Sequence, residues 1–282
     1  MISIIICSRT STIDSVLSEN IKNTIGCNYE LIVIDNTANQ YSIFEAYNIG
    51  ISKSKNNLLC FLHDDILIHT NNWGVLLASI FDQNKELGLL GVAGSKVKSQ
   101  MPSGWWDSPH NQKAANLIQH LNIERKVIWN YGFEQKNNVE VAVIDGVFMA
   151  MRKVENIQFD TSLKGFHNYD LNISVNLKNK GYKIIVTNQI LIEHFSLGKL
   201  DKNWLKAIVK FHRQYNKYLP VITELTTDSK EMKELELKNA KKYMKQILSF
   251  GLSKTTISLL FDFFIISLKS GIYKEYLKKT LK

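Results

Sequence analysis

Leu-Leu-Cys-Phe-Leu-His-Asp-Asp-Ile-Leu-Ile, residues 58–68, joins an apolar run directly to three ionisable side chains. The five leading apolar residues are typical of a buried strand, and His63, Asp64 and Asp65 follow without a spacer. Ligands of a parallel α/β sheet bind outside the carboxyl ends of its strands, where carboxylates can hold a divalent cation against phosphates. An ordinary polar turn, in which Asp is also common, is the alternative at this point.

Two strand and helix units precede this stretch. The apolar run 2–7 predicts a central strand that ends at Ser8 and Arg9, and the run 31–34 predicts a second strand that ends at Asp35. Capping-box spacing opens a helix after each strand. Strands joined by helical crossovers form a parallel sheet whose successive loops lie on one rim. We therefore expect these polar residues on the same rim as the acidic cluster.

The nucleotide-binding glycine pattern Gly-x-Gly-x-x-Gly does not follow the first strand, which argues against a nicotinamide or flavin enzyme. A sheet rim that holds a nucleotide without such a loop needs another device for the pyrophosphate. A cation bound by carboxylates would provide it. The residues therefore favour a metal-assisted nucleotide site over a dinucleotide site of the Rossmann type.

The second half of the chain again places ionisable residues after apolar runs. The run 139–144 predicts a strand that ends at Asp145, and helix signals begin near Asn168. Asp170 would then lie in the first helical turn, where the helix dipole favours an ionised carboxylate. An ionised carboxylate at the lip of a site is suited to act as a general base.

Two further segments carry candidate site residues. Residues 94–110 show no clear period and are predicted to be a long loop, in which Trp105 and Trp106 could face a sugar ring or pack beneath the loop. The apolar run 190–192 predicts a strand just before His194. A lone His after a strand is more often a structural hydrogen-bonding group than a ligand.

The charge of the chain is concentrated in its last third. The 282 residues, 45% of them hydrophobic, suffice for one large α/β domain and a smaller appendage, and the formal charge is +9. Residues 1–198 carry −1 and residues 199–282 carry +10. A cationic segment on a near-neutral body suggests contact with an anionic surface, although solvated helix faces explain it equally well. The three cysteines are expected to be reduced core residues of a cytosolic protein.

The C-terminal region is predicted to be helical and not to cross a membrane. Apolar residues recur at helical spacing from 204 to 219 and from 232 to 248, and the run 257–268 is apolar nearly all round. That run is too short to span a bilayer, and the first residues do not form a signal peptide. The hypothesis is that this basic region rests on the inner membrane leaflet; a dimer interface or a lid on the catalytic domain is the alternative.

The order of these motifs resembles that of the family 2 glycosyltransferases of the GT-A fold, over residues 1–198. This resemblance implies a mostly parallel central sheet flanked by helices, followed by an α-helical extension at 199–282. The matching pieces are the strand 2–7, Asp35-Asn36, Ala46-Tyr47-Asn48-x-Gly50, Phe61-Leu62-His63-Asp64-Asp65, Asp145-Gly146, residues 166–172 and Glu193-His194.

The resemblance also implies a binding site for a nucleotide-diphosphate sugar, with a UDP-sugar favoured. Its metal would be Mn²⁺ or Mg²⁺, bridging the two phosphates. The donor nucleotide would be bound by Ser8, Arg9, Asp35, Asn48 and Asp64, and the metal by Asp65, His194 and His63.

On the acceptor side, the resemblance makes Asp170 the base that deprotonates the acceptor hydroxyl. The residues expected to contact the acceptor or to form a lid are Trp105, Trp106, Asp145 and His167. The chain departs from the usual family pattern at two of these motifs. His63 replaces the first Asp of Asp-x-Asp, and Tyr169 replaces the Glu before the base. The same combination is similar to that of a bacterial subgroup linked to surface polysaccharide or antibiotic-sugar assembly.

The expected function is therefore that of an inverting, metal-dependent glycosyltransferase acting on a glycan or a lipid-linked acceptor in bacterial surface polysaccharide or glycoconjugate synthesis. The expected location is the cytoplasm or the inner face of the cell membrane, with no nucleic-acid partner, and a homodimer is an open alternative. Because of His63 and Tyr169, a catalytically silent GT-A module that binds nucleotide or glycan as a partner subunit is the second hypothesis.

Overall fold

A computed structural model describes residues 1–198, 200–223 and 228–272 of the chain. In chain order, the strands are β1 (Ile2–Ser8), β2 (Tyr29–Asp35), β3 (Leu58–Leu62), β4 (Ile66–Ile68), β5 (Leu87–Gly91), β6 (Ala93–Ser95), β7 (Val97–Lys98), β8 (Lys113–His120), β9 (Lys126–Tyr131), β10 (Asn138–Glu140), β11 (Val143–Ile144), β12 (Phe148–Arg152), β13 (Lys183–Thr187), β14 (Ile192–His194) and β15 (Val221–Ile222). The helices are α1 (Ser15–Thr24), α2 (Ile43–Lys53), α3 (Trp73–Gln83), α4 (Tyr169–Asn179), α5 (Lys202–Tyr215), α6 (Ser229–Ser249) and α7 (Lys254–Ser270).

A seven-stranded sheet forms the centre of the molecule, in the order β10-β13-β5-β12-β3-β1-β2. Five of its strands run in the same direction, and β10 and β12 run against them. The isoleucine-rich β1 lies inside the sheet between β3 and β2, with Ile2, Ile4, Ile5 and Ile6 inaccessible to solvent. Burial on both faces explains why that strand is continuously apolar. The predicted mostly parallel sheet is confirmed.

Helix α2 begins where its capping-box signal places it, whereas α1 begins three residues later than the spacing of Ser11 and Asp14 predicts. Asp14 accepts a hydrogen bond from the backbone N–H of Val16 and caps α1. Ser42 and Glu45 form a reciprocal capping box at the start of α2, as their spacing predicts. These caps satisfy backbone donors that the first helical turn leaves unpaired.

A second sheet takes the chain away from the end of β3. Its strands lie in the order β11-β6-β8-β14-β4, and β9 pairs with residues 115–120 of β8. The chain turns out of the central sheet at residues 63–65 and enters this second sheet as β4. Antiparallel pairing of β4 with β14 sets Ile66 opposite His194 and Leu67 opposite Glu193. Asp64 and Asp65, just before β4, are thereby brought beside β14, which lies much later in the chain.

The prediction of a long loop at residues 94–110 is wrong. This segment contains β6, β7 and a short 3-10 helix at Trp105–Asp107. Its strands pair with β8, β11 and β15, which are distant in sequence, so no local period reveals them. The predicted strand at 190–192 is displaced to Ile192–His194, and the run 139–144 is divided between β10 and β11.

The C-terminal region is helical, as predicted, and it packs against the rest of the molecule. The Glu236 carboxylate of α6 accepts hydrogen bonds from the backbone N–H groups of Gln100 and Met101 at 2.6 and 2.8 Å. The buried Lys98 donates to Nε2 of His212 in α5 at 2.7 Å. Among the described residues, no helix is long and apolar enough to cross a membrane. The division of the chain at residue 198 stays a prediction.

Candidate active site

Three side chains with metal-ligating atoms converge where the two sheets meet. Oδ1 of Asp65 lies 3.9 Å from Nδ1 of His63 and 3.6 Å from Nε2 of His194. The two imidazole nitrogens are 3.3 Å apart. One ligand atom from each residue lies within 4.8 Å of the others. The structure therefore brings together the three residues that were predicted to bind metal.

Hydrogen bonding fixes the orientation of His194. Nε2 of Gln119 donates to the carbonyl groups of His120 and Ser196 at 2.9 and 2.8 Å, which sets the orientation of its amide. Oε1 of Gln119 then accepts a hydrogen bond from Nδ1 of His194 at 3.0 Å. The other ring nitrogen, Nε2, is left with its lone pair facing His63 and Asp65. An outer hydrogen bond of this kind is the usual support of a metal-binding histidine.

The two residues that depart from the family pattern contact each other. Nε2 of His63 lies 2.6 Å from the hydroxyl oxygen of Tyr169. When this nitrogen donates to Tyr169, Nδ1 presents its lone pair towards Asp65 and His194. Gly146 allows the arrangement, because a Cβ at that position would lie 2.2 Å from the Tyr169 hydroxyl. Burial, followed by the neighbouring His194, lowers the pKa of His63 and favours the neutral imidazole that can act as a ligand.

Asp64 and Asp65 have different partners, although they are adjacent in sequence. Asp64 accepts two hydrogen bonds from the guanidinium of Arg9, at 2.6 and 3.0 Å, and a third from its backbone N–H. Oδ2 of Asp65 lies 3.3 Å from the same guanidinium, while its Oδ1 faces the histidines. Burial acts to raise the pKa of Asp65, but its neighbours His194, Ser196 and His63 hold that pKa well below its usual range.

A cleft of about 460 Å³ opens on the β1 side of these residues, and Ser8, Arg9, Asp64 and Asp65 line it. Asp35 lies just outside this lining, where its Oδ1 accepts hydrogen bonds from Thr37. Asn48 is not brought to the cleft. Its amide pairs with both backbone groups of Phe159, at 2.8 and 2.9 Å, and ties α2 to that segment.

A second cleft, of about 330 Å³, opens on the other side of the histidines. Trp105 is 3% exposed and donates from Nε1 to Asp145 at 2.7 Å, so it packs beneath the cleft. Trp106 is 36% exposed, and its ring lies 6.1 Å from that of Trp204. The sequence left open whether these tryptophans pack inside or present their rings to a ligand. Trp105 is packed inside, and Trp106 is partly exposed. The predicted residues Asp145, His167 and Asp170 also line this cleft.

Asp170 lies in the first turn of α4, as its sequence position predicts. One of its oxygens accepts a hydrogen bond from the backbone N–H of Leu171 at 2.8 Å. Burial, and next the negative charge of Asp145, raise the pKa of Asp170 to about 7. A carboxylate whose pKa lies near neutrality can both take up and release a proton in that range, which is the property required of a general base.

Sequence reasoning missed several residues of the site, including Ser196, which lines both clefts. Gln119 supports His194, while Trp129 and Trp204 line the second cleft from β9 and α5. Asn168 also lines that cleft, and its Nδ2 is buried without a hydrogen-bond partner. The sequence pattern indicates Trp204 only as part of a helix, and Asn168 only as the start of one. Gln119 and Trp129 lie in segments without a clear sequence pattern.

The trio has the donor chemistry of a divalent-cation site. Two imidazole nitrogens and one carboxylate oxygen suit a transition-metal ion, because imidazole is a better ligand for such ions than for Mg²⁺. The fixed lone pair of His194 and the ionised Asp65 are both in the required state. These residues therefore fit a divalent cation, as the sequence predicts.

Comparison with known proteins identifies the family of the chain. A family model described as "Glycosyltransferase like family" matches residues 3–245. The chain belongs to the glycosyltransferase-like family. The matched range contains both clefts and all of the predicted site residues, and it extends through α5 into α6. None of the curated proteins compared with the chain matches it.

Solved structures with a similar fold include those of TarS from S. aureus. TarS aligns with a TM-score of 0.57 and 10% identity, covering 94% of this chain and 49% of that chain. TarS 1-349 in complex with UDP aligns with a TM-score of 0.53 and 11% identity, covering 93% and 79%. TarS 1-349 in complex with UDP-GlcNAc aligns with a TM-score of 0.52 and 12% identity, covering 94% of this chain and 81% of that chain. At these identities the likeness establishes the fold.

The family match and these structures confirm the GT-A fold, the α/β class with helices after the sheet, and the glycosyltransferase class of this glycosyltransferase-like protein. The roles assigned to individual residues stay predictions.

Asp170→Asn is expected to stabilise the protein, and more so at higher pH. Because the folded-state pKa of Asp170 is about 7 against an ordinary 3.8, the folded state binds a proton more tightly than the unfolded chain. Wild-type stability therefore falls, relative to the variant, as the pH rises between these values. At about 1.4 kcal/mol per pKa unit, the difference in the free energy of unfolding between the variant and the wild type reaches a few kcal/mol.

Urea unfolding of both proteins at about pH 5 and about pH 8 measures this difference. The exposed Asp82→Asn on α3 is the matched control and should show the same small effect at both pH values. A stability gain from Asp170→Asn that does not change with pH would contradict the raised pKa.

Proposed function

We propose that this protein transfers a sugar from a nucleotide-diphosphate sugar to an acceptor hydroxyl, with inversion and with a divalent cation. A UDP-sugar is the favoured donor. The observation that carries this proposal is the meeting of two clefts at one set of side chains. His63, Tyr169 and Ser196 line both clefts, and Asp65 and His194 each line one of them. A donor in one cleft and an acceptor in the other would face each other across this set.

The cleft beside β1 is assigned to the donor. His63, Asp65 and His194 would hold the cation, which neutralises the charge that develops on the leaving diphosphate. The Arg9 guanidinium, already paired with Asp64, adds a second positive group at the same cleft. UDP and UDP-GlcNAc are bound by TarS, which has a similar fold, and this supports a uridine nucleotide as the donor.

The second cleft is assigned to the acceptor, with Asp170 as the base. The Asp170 carboxylate takes the proton of the acceptor hydroxyl, and the resulting oxygen forms a bond to the anomeric carbon. The bond from that carbon to the diphosphate breaks on the opposite face, and the nucleoside diphosphate leaves with the electron pair. One displacement inverts the anomeric centre. Trp106, Trp129 and Trp204 offer flat apolar faces of the kind that sugar rings pack against.

The contact between His63 and Tyr169 supports an active enzyme rather than a silent module. A disabled site has no need to keep its replaced residues in mutual contact, yet these two are 2.6 Å apart. In this arrangement, His63 supplies a nitrogen where the family pattern has a carboxylate, and Tyr169 orients that nitrogen. The two departures together would preserve cation binding while changing its ligand chemistry.

The wider role follows from the resemblance to the bacterial subgroup. The acceptor would be a glycan or a lipid-linked sugar, and the process would be surface polysaccharide or glycoconjugate synthesis. A cytoplasmic or peripheral location on the inner membrane face, without a nucleic-acid partner, is part of the same proposal. The catalytic unit would comprise residues 1–198, with Trp204 of the helical extension completing the acceptor cleft.

Calorimetric titration with a panel of nucleoside diphosphates tests the proposal directly. UDP should bind in the presence of Mn²⁺, and binding should weaken strongly when the metal is withdrawn. Asp65→Asn should weaken the metal-dependent binding, because it removes an ionised ligand, while Asp82→Asn on the surface of α3 should not. Absence of metal-dependent binding to every nucleotide of the panel would overturn the assignment.

The pH dependence of transfer tests the base. The kcat/KM for the acceptor should fall tenfold per pH unit on the acid side, with an apparent pKa well above the ordinary value for Asp. Asp145→Asn removes a neighbouring negative charge that raises the pKa of Asp170. The variant should therefore shift the acid-side fall of kcat/KM to lower pH. Asp170→Asn should reduce transfer by roughly 10²–10⁴-fold while UDP binding is kept. A pH profile that survives Asp170→Asn would assign the base elsewhere.

Tyr169→Phe tests whether Tyr169 supports the metal site. Loss of the hydroxyl removes the partner of His63 Nε2, so Mn²⁺ affinity should fall by roughly 10–100-fold. Electron paramagnetic resonance of free Mn²⁺ measures this affinity without donor or acceptor. Tyr182→Phe, which alters a tyrosine outside both cleft linings, is the control. Equal Mn²⁺ affinities for all three proteins would show that Tyr169 has no part in metal binding.

A further inference from the structure

The helix α7 is apolar on its solvent-facing side as well as on its buried side. Leu259, Phe263 and Ile266 pack into the interior. A second row, which we call the α7 stripe, consists of Ile257, Phe261, Phe264 and Leu268, with exposed fractions of 61, 60, 53 and 42%. A surface helix of a globular protein normally carries polar residues at such positions.

The α7 stripe is continuous along the helix. Its members are spaced by four, three and four residues, which places them on one face. Phe250 and Leu252, in the turn before α7, add further exposed apolar surface at its N-terminal end. Exposed apolar residues scattered singly need no explanation, but a row of large side chains marks a contact surface.

A cationic groove runs beside the stripe, between α5 and α7. Its cleft of about 470 Å³ is lined by four basic side chains, Lys206, Lys210, Arg213 and Lys254. Asp262 is the acidic residue in this lining, and it pairs with Arg213. On α7, the groove residue Ser258 and the stripe residue Phe261 lie about 60° apart around the helix axis, so the groove borders the stripe.

We propose that α7 docks on an anionic lipid bilayer. The α7 stripe would enter the boundary between headgroups and acyl chains, and the cations of the groove would contact lipid phosphates. An apolar helix face bordered by basic side chains is the pattern of an interfacial helix. This inference rests on the peripheral location proposed above and identifies its docking surface, while it does not depend on the nucleotide and acceptor assignments.

Charge decides between a bilayer and a second copy of the chain. Residues 199–282 carry a net charge of +10, while residues 1–198 carry −1. A symmetric dimer through α7 would bring two such cationic regions face to face, which is unfavourable at low ionic strength. An anionic membrane complements the same charge. The net charge therefore favours lipid as the occupant of the stripe.

Vesicle co-sedimentation of the full chain tests the proposal. At low salt, the protein should sediment with vesicles of phosphatidylcholine and phosphatidylglycerol, and it should bind much less to phosphatidylcholine alone. The double variant Phe261→Ser/Phe264→Ser should bind roughly 10–100-fold more weakly, because two large apolar side chains are lost. The variant Lys206→Glu/Lys254→Glu should reduce binding by roughly tenfold or more and weaken its salt dependence.

The matched control uses exposed apolar residues elsewhere on the surface. Ile123 and Ile128 are 99% and 70% exposed in and beside the β8–β9 hairpin, and Ile123→Ser/Ile128→Ser should leave vesicle binding unchanged. Circular dichroism melts check that every variant is folded. Equal binding to neutral and anionic vesicles, or no binding of the wild type at low salt, would overturn the proposal. A dimer in analytical ultracentrifugation that Phe261→Ser/Phe264→Ser dissociates, without vesicle binding, would assign the stripe to a second copy instead.

Discussion

The antiparallel pairing of β4 with β14 is the interaction on which the candidate site depends. The chain leaves β3 at His63 and can reach β4 only by turning at residues 64 and 65. The register with β14 then places Ile66 opposite His194. Backbone hydrogen bonds thus make neighbours of two segments separated by about 130 residues. A shift of the register by one residue would turn His194 to the other face of its strand.

Glu193, the residue beside His194, stabilises the pairing of β4 with β14. Successive side chains of a strand point to opposite faces, so Glu193 faces away from the cluster. Its carboxylate pairs with His69 and His120 at 2.8 and 2.7 Å and with Lys126 at 3.0 Å. Burial acts to raise its pKa, but these partners outweigh that effect and lower the pKa to about 2. Glu193 therefore joins β4, β8, β9 and β14 electrostatically, while His194 is free to face the site.

Local sequence signals predicted the elements whose residues lie close together in the chain. β3 lies at the predicted residues, and the capping box of Ser42 and Glu45 and the start of α4 at Tyr169 agree with their patterns. The second sheet was not predicted, because short strands such as β6 and β7 are defined by partners far away in sequence. The same limit applies to Gln119, whose significance arises only from its hydrogen bond to His194.

The two assigned carboxylates differ in environment in the way that their proposed tasks require. Asp65 lies between two imidazoles and a guanidinium, so its pKa is held low and it remains ionised as a ligand must. Asp170 is half-buried near another carboxylate, and its desolvation and that neighbouring charge raise its pKa to about 7. Opposite shifts of this kind separate an electrostatic role from a proton-transfer role. The sequence places both acids at the ends of buried elements, but it is their neighbours in space that make one a ligand and the other a base.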